Sequence, residues 1–198
     1  MPAQTADHGR GVSAMERDGV GIARIAARRG QAAQVAQRLR AAYGIELPQG
    51  PRRASRGPVG IAGIAPQTWL ATCEGAGSEF AQSLRQLLAD CAAVTDQSDA
   101  YVMLRLTGPK VREALAKLVA VDIDPRTFRV GDLAQTVCGY MRVTLWRLED
   151  SGQDGAVFEI WVGRSVARDL RRALAHCAAE FGFEPGRSFL ETTAGHMA

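Results

Sequence analysis

Few side chains in this sequence could move a proton or bond to a substrate, and they are scattered. Asp122 and Asp124, in VDIDP, stand two apart and would share a face of an extended segment, where paired carboxylates can do acid/base work. Asp124 also precedes a proline, and Asp-Pro is turn chemistry, so a solvated turn is the expected role. Asp96 and Asp99, in VTDQSDAY, read the same way. Thr107-Gly108-Pro109 opens a helix, and a helix N-terminus offers free N–H groups to an anion. No GxxxxGK[ST] or strand-borne GxGxxG accompanies it. A tight strand-to-helix connection is expected, with Thr107 as cap and Gly108 supplying backbone freedom.

Ser165, in VGRSVAR, lacks the GxSxG elbow that would expose a nucleophile and reads as a helix N-cap. His176 lies on the last helix without an orienting acid or a nucleophile. His8 and His196 are remote from it, and Cys73, Cys91, Cys138 and Cys177 form no CxxC pair, which excludes the usual zinc spacings. Free, mostly buried thiols are expected. The sequence therefore yields no catalytic, cofactor-binding or metal-ligating residue. A different feature invites contact: Arg142, Thr144 and Trp146 alternate with Met141, Val143 and Leu145, while Trp161 shares a strand face with Glu159. Tryptophan beside charge suits either an interface or a covered face.

The elements that position these residues alternate regularly. Val20–Ala26 reads as a strand; Ala32, Val35, Ala36, Leu39 and Tyr43 make one apolar helical face ending at Gly44. Residues 49–58 read as loop, and VGIAGIA and TWLATC as a hairpin about Pro66-Gln67. Ser78 caps a helix whose stripe is Phe80, Leu84, Leu87, Leu88 and Cys91. A similar order recurs: YVMLRL, the helix from Pro109, AQTVC, MRVTLWRL, VFEIWVG, and a helix with Val166, Leu170, Ala173, Leu174, Cys177 and Phe181 inward. The fold class is α+β: two fused ferredoxin-like (split βαβ) halves, mainly antiparallel, with helices packed on the sheets. The expected limits are a flexible arm 1–18, a first half 19–96, a second half 97–184 and a flexible tail 185–198.

Length and composition set outer bounds. A chain of 198 residues builds its core without disulfides or metal. A formal charge of +3, with no block of like charges, argues against nucleic acid as partner. No signal-type or membrane-length apolar run occurs, so a reducing cytoplasm is the expected compartment, with no membrane contact.

The run from Val94 to Asp150, with LTGP, VDIDPRTF, GDLAQT and LWRL, followed by VFEIWVGRSVARDLRRAL, resembles the γ subunit of heterotetrameric sarcosine oxidase, within the folate-binding aminomethyltransferase (glycine-cleavage T-protein) group of folds. The upstream segments IARIAARRGQAAQVAQRLRAAYGIELP and APQTWLAT extend the likeness to about residues 19–182. The resemblance implies a complex that oxidatively demethylates sarcosine to glycine, passing the one-carbon unit to tetrahydrofolate and forming hydrogen peroxide. FAD, FMN, NAD and zinc are then implied in the α, β and δ partners, and none on this chain, which would dock chiefly on the folate-domain part of α. Aminomethyltransferases carry a glycine-rich segment ending in an acid that contacts folate. Here the corresponding VCGYMRVTLW has Gly139 but no carboxylate before Glu149, so no folate residue carries over. Related complexes act on other N-methyl amino acids, such as N-methylglutamate, and a free-standing folate-binding aminomethyltransferase-like protein is the remaining alternative.

Overall fold

The computed structural model describes residues 11–152 and 155–186. In the first half, β2 (Gly21–Ala27) leads into α1 (Ala32–Tyr43), which stops at Gly44 in the left-handed region. β4 (Val59–Ala65) and β5 (Thr68–Cys73) form the expected hairpin, and α2 (Glu79–Leu88) returns the chain to β6 (Ala92–Asp96). With β3 (Arg53–Arg56) at its edge, the sheet runs β3-β4-β5-β2-β6, all antiparallel. α1 and α2 cover one face, burying Val35, Leu39, Phe80 and Leu84 against Ile25, Ile61 and Ala71.

The second half repeats the plan. β7 (Tyr101–Thr107), α3 (Val111–Ala116), β8 (Leu133–Cys138), β9 (Met141–Ser151), β10 (Gly155–Gly163) and α4 (Ala167–Ala178) follow in order, with β11 (Phe183–Pro185) last. The sheet order is β11-β1-β7-β10-β9-β8, where β1 is Val12–Glu16. Apolar alternation sends Leu104, Leu106, Val143, Leu145, Phe158 and Ile160 toward α3 and α4. The opposite faces of the two sheets meet, packing Ile22, Ala62 and Leu70 against Met103, Leu133, Trp146 and Trp161. The result is four layers, helix–sheet–sheet–helix.

Several expectations need correction. The arm expected to be flexible through residue 18 contains β1, which pairs antiparallel with β7 and parallel with β11, burying Val12 and Ala14. Its alternation is too short and its side chains too small to signal a strand; the open edge of β7 supplies the ladder. Pro185, placed in the tail, pairs with Ala14. The loop 49–58 holds β3, whose residues Arg53, Ala54, Ser55 and Arg56 carry weak β-propensity and depend on β4 for their bonds. Ser78 makes no side-chain cap bond, and Ser165 lies inside a single 3₁₀ turn at Arg164–Val166 rather than at its cap. His8 and His196, with the rest of residues 1–10 and 187–198, lie outside the described residues.

The TGP connection is shaped by β1. Gly108 has φ 119°, and a Cβ there would overlap the Gly11 carbonyl oxygen. That oxygen accepts the Lys110 N–H at 2.9 Å, so the turn's donor is already satisfied. Thr107 does not cap: the N-cap is Lys110, without a side-chain bond. α3 has only six residues, and the N–H groups of Lys110 and Val111 donate to the Gly11 and Gly108 carbonyls. Gly108→Ala should cost about 2 kcal/mol or more, read as a lower denaturant midpoint in chemical unfolding; an unchanged midpoint would mean that β1 does not press on this turn.

Candidate functional site

Polar side chains collect between the two sheets. Glu159 on β10 sits opposite Arg105 on β7 and Trp146 on β9 in the strand register, so all three point into the same layer. Its side chain is 3% exposed. Oε1 accepts Arg105 Nε at 3.1 Å and Nη2 at 2.6 Å, and Oε2 accepts Trp146 Nε1 at 2.8 Å. Arg17, just beyond β1, reaches Oε1 at 3.4 Å and Glu74 at 2.7 Å. That last pair holds the Glu74 carboxyl below its usual range, against the opposing effect of burial.

A third arginine completes the cluster from the other sheet. Arg53 on β3 places its guanidinium over the Trp146 ring, 5.7 Å from the centroid, and against the backbone of Gly60, where a Cβ would collide with it. Burial pushes the Arg53 guanidinium below its usual pKa, with Glu159 pulling the other way. The two sheets are also tied here by backbone: Arg53 N–H donates to Gly131 O at 2.8 Å and Leu133 N–H to Pro51 O at 2.9 Å. Arg52 pairs with Asp132 at 2.9 Å. Beside this seam opens a cleft of about 850 Å³ lined by Arg52, Arg53, Arg105, Arg147, Glu149 and Asp150.

Arg147 alternates with Trp146 and therefore points to the helix side. It stacks on Phe158 at 5.2 Å, donates to the carbonyls of Val157 at 2.9 Å and Leu148, and pairs with Asp150. Burial, helped by nearby Arg112, lowers its pKa to about 10.

The structure does not bring the sequence-predicted acids together. Asp122 accepts the Asp124 N–H at 2.9 Å, and Asp124 accepts the Arg126 N–H and Nε, each at 2.9 Å. Both carboxylates shape an exposed turn. Asp96 accepts the Ser98 N–H at 2.9 Å and Oγ at 2.7 Å, which holds its carboxyl low, while the Asp99 carbonyl accepts Arg164 Nε at 2.8 Å. These acids fasten the link between the halves. Ser165 and His176 are exposed and far along the chain from any such cluster. Trp146 and Trp161, 4.4 Å apart, are each 1% exposed, so their strand face is covered by the first sheet. Only the Arg142 end of that face stays open. Cys138 is buried and its thiol is pushed up to about 11. The cysteines are free, and no metal-type cluster of acids, histidines and cysteines occurs among the described residues. The arginines of the seam were missed; the doubled Arg52-Arg53 between proline and a short polar strand was the available signal.

A model of the GCVT N-terminal domain matches residues 61–193, and this chain belongs to that family. An aminomethyltransferase of Saccharopolyspora erythraea is 34% identical over 94 residues, 48% of this chain but 24% of that protein; the chain thus matches about a quarter of that relative's length. A heterotetrameric sarcosine oxidase chain from Corynebacterium sp. U-96 has the same fold, with TM-score 0.73 and 23% identity over 94% of this chain and 88% of that one. Glycine-cleavage aminomethyltransferase T from Bartonella henselae gives TM-score 0.64 and 14% identity over 90% of this chain and 48% of that one. The fold is aminomethyltransferase-like.

Two outcomes follow. Glu159→Ala leaves Arg105 and the Trp146 indole without their acceptor in a largely buried layer and should lower stability by about 3 kcal/mol, measured by urea unfolding; a loss within about 0.5 kcal/mol, typical of surface changes, would refute a central role for the carboxylate. Arg126 holds the Asp124 carboxyl at about 2 against an ordinary 3.8. A depressed folded-state pKa gives a stabilising contribution that is fully present above 3.8 and fades as pH falls toward 2. Carboxyl ¹³C titration should place Asp124 near 2 in the wild type, and closer to the ordinary value in Arg126→Ala.

Proposed function

We propose that this chain is the γ-type subunit of a heterotetrameric sarcosine oxidase and carries no catalytic residue of its own. The observation that carries the proposal is the fold likeness. The sarcosine oxidase chain superimposes with TM-score 0.73 over 94% of this chain, against 0.64 over 90% for the glycine-cleavage aminomethyltransferase. The state of the acids supports the same reading. Asp96, Asp122 and Asp124 are engaged in turns and Glu159 is enclosed by donors, so none is poised for proton transfer. The β8–β9 turn at Gly139-Tyr140 brings no carboxylate.

On this reading the complex oxidises the N-methyl group of sarcosine with O₂. Glycine and hydrogen peroxide leave, and tetrahydrofolate takes up the one-carbon unit. FAD, FMN, NAD and zinc belong to the α, β and δ chains, the assembly is cytoplasmic, and the β-type chain selects sarcosine or another N-methyl amino acid. This chain's contribution is rigidity: four packed layers hold one large surface against the folate-domain part of α, over about 2,000 Å² or more. The part of the second sheet that the first leaves open, with Val137 39% and Tyr140 76% exposed, is the proposed seat.

Co-expression of the tagged chain with its neighbouring genes, followed by native mass spectrometry and flavin absorbance, tests the proposal. Recovery in a yellow four-chain complex is expected, and Val137→Asp should cut that recovery at least severalfold. A colourless monomer or homodimer that binds tetrahydrofolate would overturn it in favour of a free-standing folate protein.

A further inference from the structure

The ionisable groups of the seam do not balance. Arg17, Arg53 and Arg105 carry three positive charges; Glu74 and Glu159 carry two negative ones. Arg17 bridges the two carboxylates and Arg105 forks onto Glu159. Arg53 is the guanidinium left over: among the described residues it makes no ion pair, and its contacts are the Trp146 face and the Gly60 backbone. An arginine held in place on both sides, largely removed from water and without an acceptor has its hydrogen-bonding fork available to a ligand. It lines the 850 Å³ cleft, a volume within the range of small-molecule sites, about 300–1,000 Å³.

We propose that this cleft binds a small organic monocarboxylate, with Arg53 as the group that receives it. A guanidinium and a carboxylate match as two parallel N–H···O bonds. Of the other charges on the cleft wall, Arg52 pairs with Asp132 and Arg147 with Asp150, while among the described residues no ion pair holds Glu149; Arg53 can therefore accept one carboxylate, and Glu149 repels a polyanion such as a phosphate ester. Ala54, Val130, Leu148 and Val157 give the acid's aliphatic body an apolar wall. Trp146 keeps the guanidinium flat, and Glu159, which fixes the Trp146 indole from its other end, positions the receiving arginine without touching the ligand. This site stands apart from the subunit proposal.

The test uses the full-length chain, or the assembled complex if the chain is obtained only there. Sodium butyrate is titrated at constant ionic strength against sodium chloride, with butyramide as the neutral isostere, and tryptophan fluorescence reports on Trp146. A saturable change with butyrate alone is expected. Arg53→Gln should raise the half-saturating concentration at least tenfold, or about 1.4 kcal/mol. Arg53→Lys, which keeps charge but loses the fork, should fall between, and the exposed Arg24→Gln should titrate like the wild type. If Arg53→Gln fails to fold, protection of Arg53 from phenylglyoxal by butyrate in the wild-type protein gives the same answer. A response equal to that of chloride or butyramide, an unshifted Arg53→Gln titration or absence of protection would overturn the proposal. N-acetyl-aspartate amide, run in parallel, separates the sources: tighter binding than butyrate assigns the site to a partner's acidic side chain, and weaker binding to a free acid.

Discussion

The architecture depends on one buried carboxylate. Glu159 lies on a central strand, in a layer otherwise made of Trp146, Trp161, Met103 and Leu133 on its own sheet and Ile22, Ala62 and Leu70 on the other. A lone charge in such a layer would be strongly unfavourable. The β-ladder resolves this by register, placing Arg105 and Trp146 directly across from it on either side. Shifting either strand by one residue would turn the donors to the helix side and leave the charge bare. Glu159 therefore fixes the pairing of β7, β10 and β9 more sharply than the apolar side chains do, since those tolerate repacking.

The same carboxylate draws in the chain's early residues. Arg17 reaches it from the end of β1, and β1 itself fills the place beside β7 that completes the second sheet. Ala14 pairs with Leu106, so the contact closes 106 − 14 = 92 residues of sequence, spanning the whole first half. The two halves are consequently not sequential domains. The β1–β7 ladder encloses the whole first half, and long-range closure of this kind slows folding relative to local pairing. Contacts between Arg53 and Gly131 and between Leu133 and Pro51 stitch the halves again at their edge strands, so each half is held at two places.

Much of this was legible in the residues. Alternation in YVMLRL and VFEIWVG assigned Leu104, Leu106, Phe158 and Ile160 to one face, and the structure buries them under α3 and α4. The 3.6-residue pattern and Gly44 located α1. What stayed hidden was what covers the second face of each sheet. Trp161 beside Glu159 reads equally as a partner-binding surface or an internal one, because local pattern reports that a face is sticky and not which neighbour satisfies it. β1 and β3 were hidden for a related reason: Val12–Glu16 and Arg53–Arg56 acquire their strand character from the edges they join, a tertiary effect that overrides propensity. The cleft arginines share that fate, since the chain separates Arg17, Arg53 and Arg105 widely and only the two-sheet packing brings them around Glu159.

Membership of the GCVT N-terminal domain family gives the fold and leaves the chemistry to the site. In this chain four carboxylates have structural roles: Asp122 and Asp124 shape a turn, Asp96 fastens the link between halves and Glu159 organises the layer. The imbalance lies on the cationic side, in a guanidinium stacked on an indole and kept from water. Such a group keeps its charge near neutrality and does not act as an acid or base there. It can recognise an anion and hold it in one plane. The electrostatics of the seam thus suit a chain that binds and positions, whether the carboxylate arrives on a small molecule or on a neighbouring subunit.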